Sequence, residues 1–197
     1  MRLHRPVGLK ELLKIIELEF KGFPPRLPEQ PIFYPVLNMG YAEEIASKWN
    51  TEDPVSNFVG YVLEFDVENA YISKYKAETV GNKNHKELWI PAQDLETFNK
   101  NIIGFIRIVK AYYGDKYSGL DALPDEFNGR SLIEQFELIK SSYKNDKKAY
   151  TSMILTCKNV IITNYLYWKL KHYNYENKKV LDDIYNQYRE QGIIIGT

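Results

Sequence analysis

Two short stretches hold the residues best suited to chemistry. The first is LHRP, where His4 and Arg5 are neighbours near the start of the chain. On a strand, neighbours point to opposite faces, so one faces an interior or cleft and the other faces away. An ionisable group on the inner face needs a partner or a ligand. It is therefore either a satisfied, half-buried side chain or an anchor for an anionic or hydroxyl-rich ligand. The second stretch is NHKELWIP, where Glu87 immediately precedes Leu88, Trp89 and Ile90. A carboxylate at the head of a buried strand is either paired with a cation, such as Arg5 or Arg26, or open in a cleft for chemistry. A nucleotide or nucleoside-sugar hydrolase would pair Glu87 with a second carboxylate such as Asp66 or Glu64, although no spacing demands it.

Other motifs are missing. The sequence has no GxGxxG, Walker loop, HExxH, GxSxG or CxxC, so those mechanisms lack their usual sequence support. His4, His85 and His172 show no metal-ligand spacing, and no metal is expected. The single cysteine, Cys157, lies in an apolar helical run. It reads as a packing residue, and a reducing, cytoplasmic setting is expected.

Hydrophobic residues at 44% and charged residues at 26% are globular values. The 26 basic and 26 acidic residues cancel. Both halves are balanced, with 14 basic and 15 acidic residues before position 114 and 12 and 11 after it. No nucleic-acid surface is signalled. MRLHRPVGLKE carries charges and no apolar h-region, so a secretory signal is not expected. The most apolar window, MILTCKNVIITNYLYW, is interrupted by Lys158, Asn159 and Asn164, so no membrane span is expected.

These residues must be positioned by the elements around them. RLHRPV (2–7) reads as a strand, and GLKELLKIIELEF (8–20) as an amphipathic helix. FPPRLPEQPIFYP (23–35) holds five of the nine prolines. Prolines lack a donor and fix φ, so this segment is expected to be neither helix nor central strand. It reads as a rigid rim over a cleft, holding Arg26, or as a cover for one sheet edge. MGYAEEIASKWN (39–50) reads as a helix capped by Asn38, with Tyr41, Ala42, Ile45, Ala46 and Trp49 inward. NFVGYVLEFDV (57–67), YKAETV (75–80), KELWIP (86–91) and IIGFIRIVKAYY (102–113) read as strands, the middle two as a hairpin. PAQDLETFN (91–99) reads as a short helix. The order is β-α-loop-α-β-β-β-α-β, an α+β domain over 1–113 around a strongly bent sheet. A linker (114–130) leads to a helical appendage (131–197) of two or three helices. Its stripes are Leu132, Phe136, Ile139 and Tyr143; Tyr150, Met153, Cys157, Ile161, Asn164 and Trp168; and Leu181, Ile184 and Tyr188. Its tyrosines Tyr165, Tyr167, Tyr173, Tyr175 and Tyr185 exceed what one core needs, and some of them are expected to form a surface for a protein partner.

LHRP, a helix, IFYPVLNMGYAEEIA, a strand-rich middle and KELWIP together resemble the ADP-ribosyltransferase-like fold. Residues 3–113 are also similar to a group of small bacterial proteins with the pattern RPVG…FPPRLPEQPIFYPVLN…HRELWVP, labelled as ADP-ribosylation or J-crystallin-like proteins. The resemblance implies NAD or ADP-ribose as ligand and transfer of ADP-ribose to a target. It implies that Glu87 stabilises the oxocarbenium-like state and that His4 or Arg5 anchors the ribose or pyrophosphate. Tyr34 would stack on the nicotinamide, and Arg26 would meet a phosphate. The sequence departs from the family in having His85, not Glu, two residues before Glu87. The alternative is a non-catalytic binding module of the same fold, immunity- or antitoxin-like, gripping a protein through the tyrosine-rich helices.

Overall fold

A computed structural model describes residues 1–196 and divides them into two compact units. One is Met1–Asp115 together with Gly196, and the other is Lys116–Ile195.

In the first unit, β1 (Arg2–Val7) lies antiparallel to β3 (Val59–Val67), which pairs in turn with β7 (Ile102–Tyr113). The expected hairpin forms between β4 (Ala77–Thr79) and β5 (Lys86–Leu88). Two elements join these halves. β2 (Ile32–Phe33) pairs with β6 (Ile90–Pro91), and Val36 bridges both His4 and Glu87. The register is continuous: Leu37 donates to the Lys86 carbonyl, Leu88 to that of Pro35, and Ala92 to that of Pro31. The later half of the proline-rich segment is thus a central strand between β1 and β5, contrary to the sequence expectation.

Side-chain replacement and sparse bonding explain how prolines are tolerated there. His4 and Val36 exchange both backbone bonds, at 2.9 and 2.8 Å, which sets Pro6 opposite Tyr34 one ladder pair later. Pro6 has no N–H to give. The Arg5 guanidinium supplies the donor instead, reaching the Tyr34 carbonyl at 3.2 Å.

Helices cover both faces. α1 (Leu9–Glu17) presents Leu9, Leu12, Ile15 and Ile16 to the sheet. It stops short of the expected span, since Glu19 and Phe20 adopt positive φ and turn the buried Phe20 ring inward. Under this face Phe23, Phe33, Phe65 and Phe98 form a cluster of tilted and edge-on rings. The opposite face carries α2 (Met39–Glu44), capped by the Asn38 side chain as expected. It continues as a π-helical turn, Ile45–Asn50. Tyr41, Ala42 and Ala46 pack with Val36, Val62 and Val109. Trp49 is 55% exposed, not inward, because the wider π turn shifts it out of the 3.6-residue phase. α3 (Asn69–Ile72) and α4 (Leu95–Lys100) complete the unit.

The second unit holds four helices rather than two or three: α5 (Leu132–Asn145), α6 (Lys147–Thr156), α7 (Lys158–Lys171) and α8 (Tyr175–Glu190). The long middle stripe breaks at Cys157, which caps both α6 and α7. Every residue of that stripe is nevertheless buried. Asn164 is satisfied by Tyr117 and Gln135. No described helix is long and apolar enough to cross a membrane.

Candidate functional site

Because side chains alternate across the sheet, β1 sends Leu3, Arg5 and Val7 toward α1, and His4 and Pro6 toward α2. The two candidate residues of LHRP therefore serve different faces.

On the α2 face a row of polar side chains crosses the sheet. Arg107 of β7 pairs with Glu64 of β3, which pairs with His4 of β1. Val36 then separates His4 from Glu87 on β5. Arg107 bonds Glu64 at 3.1 Å and Asp66 at 2.8 Å. His4 Nε2 lies 3.3 Å from Glu64, whereas its Nδ1 is buried without a hydrogen-bond partner. Burial holds the His4 imidazole below its ordinary range, against the upward pull of Glu64. Glu64 and Asp66 are committed to arginine, which argues against a carboxylate pair with Glu87. His4 and Glu87 stand two strand spacings apart, about 10 Å.

At the Glu87 end, both carboxylate oxygens are held. The Tyr41 hydroxyl donates to Oε1 at 2.9 Å, and the Trp89 indole donates to Oε2 at 3.1 Å. Burial, with Glu87 alongside, pushes the Tyr41 phenol up to about 12, so it stays a donor at neutral pH. His85 stacks flat on Tyr41 with centroids 4.0 Å apart and contacts Glu44 at 3.0 Å. Tyr34 meets Trp89 edge-on at 5.9 Å. The two residues are 38% and 49% exposed, an aromatic pair beside a fixed carboxylate.

On the α1 face, Arg5 makes a forked pair with Glu11, at 2.7 and 3.1 Å. Its guanidinium also lies 4.6 Å over the Phe33 ring. This cation is fully occupied. Arg26, in the proline-rich segment, lines a cavity of about 260 Å³ with Glu11, Lys10 and Lys14. Burial, with Arg5 nearby, holds its guanidinium below the usual arginine range, against the upward pull of Glu11 and Tyr34.

The candidate residues thus fall into two groups. Glu87 and Tyr34 meet through Trp89, and His4 shares their face at a distance. Arg5 and Arg26 lie on the other side of the sheet. Sequence reasoning did not assign Tyr41, Trp89 or Glu11 to these groups. Trp89 was signalled by its two-residue spacing from Glu87, which places both on one face. Among the described residues no cluster of three or more His, Cys, Asp or Glu can hold a metal. In the second unit Tyr165 is core rather than surface, whereas Tyr173 and Tyr175 are 57% and 77% exposed. No family model, curated protein or solved structure matches this chain.

Proposed function

We propose that this protein is a non-catalytic binding module of ADP-ribosyltransferase-like design. It takes a ligand with a planar ring and ribose-type hydroxyls, such as NAD or ADP-ribose, on the Tyr34–Trp89–Glu87 platform. The observation that carries this reading is that both Glu87 oxygens are already hydrogen-bonded beside two exposed rings. A carboxylate oxygen has a second lone pair, so a hydroxyl can still donate to Glu87 while Tyr41 and Trp89 hold it still. Rings stack on the exposed aromatic faces. The cations a transferase would place on the pyrophosphate, Arg5 and Arg26, lie on the other face of the sheet, and Arg5 is held by Glu11. This favours binding over transfer. Exposed Tyr173 and Tyr175 supply a surface for a protein partner.

The second reading is an active ADP-ribosyltransferase, favoured by His4 and Glu87 sharing one face. Titration calorimetry with NAD and ADP-ribose tests the platform. Binding by the wild type, weakened roughly tenfold or more in Trp89→Ala, supports it. No binding up to millimolar ligand removes both readings.

A further inference from the structure

The strongest unexplained feature is an excess of positive charge under the proline-rich segment, on the α1 face. Lys10, Lys14 and Arg26 line a cavity there with Arg5 near Arg26; of the carboxylates in reach, Glu11 is taken up by its forked pair with Arg5 and Glu17 lies in the adjoining hollow. Asp53, whose field reaches Lys10, is held by the Val55 and Ser56 amides and the Ser56 hydroxyl. Among the described residues, Lys10, Lys14 and Arg26 form no ion pair. The Arg26 Nε–H is buried with no acceptor. A buried guanidinium donor without an acceptor, next to a second guanidinium, is costly unless an anion completes it.

Two hollows adjoin beside these cations. Gly8, Lys10, Gln30 and Ser56 line the cavity of about 260 Å³. A second hollow shares Lys14, Pro24, Pro25, Arg26 and Leu27 and adds Glu17 and Leu18. Both lie along α1; Lys10 and Ser56 belong to the first alone, and Glu17 and Leu18 to the second alone. Gly8, the N-cap of α1, offers no capping side chain, so the first-turn amides add to the positive field.

We propose that these adjoining hollows bind an organic phosphate, with the phosphoryl group between Arg26, Lys10 and Lys14 and an apolar or planar group against Leu18 and Leu27. The stiff prolines hold Arg26 in place, so little loop entropy is lost on binding. The site lies on the face opposite Glu87 and stands independently of the platform reading.

Phenyl phosphate and inorganic phosphate serve as probes, titrated into the full chain by calorimetry at about 0.1 M ionic strength. Phenyl phosphate is expected to bind more tightly than inorganic phosphate. Arg26→Gln is expected to weaken it about tenfold to a hundredfold, while Trp49→Ala, at an exposed ring outside both groups of candidate residues, leaves it unchanged. If Arg26→Gln fails to fold, the exposed pair Lys10→Gln/Lys14→Gln makes the same test. No binding of either probe up to millimolar concentration, equal affinity for both, or wild-type affinity in the cation variants overturns the proposal.

Discussion

At the scale of single residues, Arg5 makes the largest set of polar and ring contacts among the candidate residues. Arg5 replaces the amide that Pro6 lacks, neutralises Glu11 and lies on Phe33. Arg5→Met should cost roughly 2–3 kcal/mol, since it strands Glu11 and the Tyr34 carbonyl together; urea unfolding at neutral pH measures this, and a loss under half a kcal/mol would contradict it. His4 gives a pH signature. Burial depresses its folded-state value below 6.5, so the unfolded chain binds more protons as pH falls through that value. Stability contributed by the neutral ring is present above about pH 6.5 and is lost toward more acid pH. Thermal melts from pH 7.5 to 5.5 should fall more steeply for the wild type than for His4→Gln; parallel profiles would count against the buried, neutral imidazole. At this scale the sequence was partly legible. The alternation of His4 and Arg5 followed from strand periodicity alone. Glu11 escaped notice because it sits on the helix, six residues from Arg5, where only tertiary packing makes them meet.

At the scale of elements, periodicity located most strands and helices of the first unit, and misjudged the segment where local chemistry and long-range pairing disagree. Prolines at 31 and 35 argued against a central strand. Yet Pro31 and Pro35 still offer carbonyls to Ala92 and Leu88, while Phe33, Val36 and Leu37 lie in register with their neighbours. Half a ladder suffices when both neighbours are fixed. The π-helical turn after α2 was similarly invisible, because its extra residue breaks the 3.6 phase that revealed Tyr41 and Ala42. Its close approach to β3 depends on Gly60. A Cβ at that position would stand 2.2 Å from the Ala46 carbonyl oxygen. Gly60→Ala should therefore destabilise the protein by roughly 1–3 kcal/mol through overpacking. Chemical denaturation provides the check, and an unchanged midpoint would show that the π turn shifts freely.

At the scale of the whole molecule, the chain separates into a sheet-centred unit and a four-helix unit. The apolar stripes of the helical unit were readable almost residue by residue, because one buried face per helix is a local pattern. The break at Cys157 was not, because the apolar spacing continues across it. The candidate site was legible as a set of residue types but not as a place. Glu87 and Tyr34 come together only because the proline-rich strand lies beside β5, whereas Arg26, in the irregular stretch before that strand, lines a cavity with residues of α1. One measurement tests the central claim most directly: incubate the full chain with NAD, and follow both ligand binding and free nicotinamide. The platform reading predicts binding that weakens in Glu87→Gln, with no nicotinamide released above the protein-free control. Nicotinamide release by the wild type that disappears in Glu87→Gln would contradict it and make Glu87 a catalytic carboxylate.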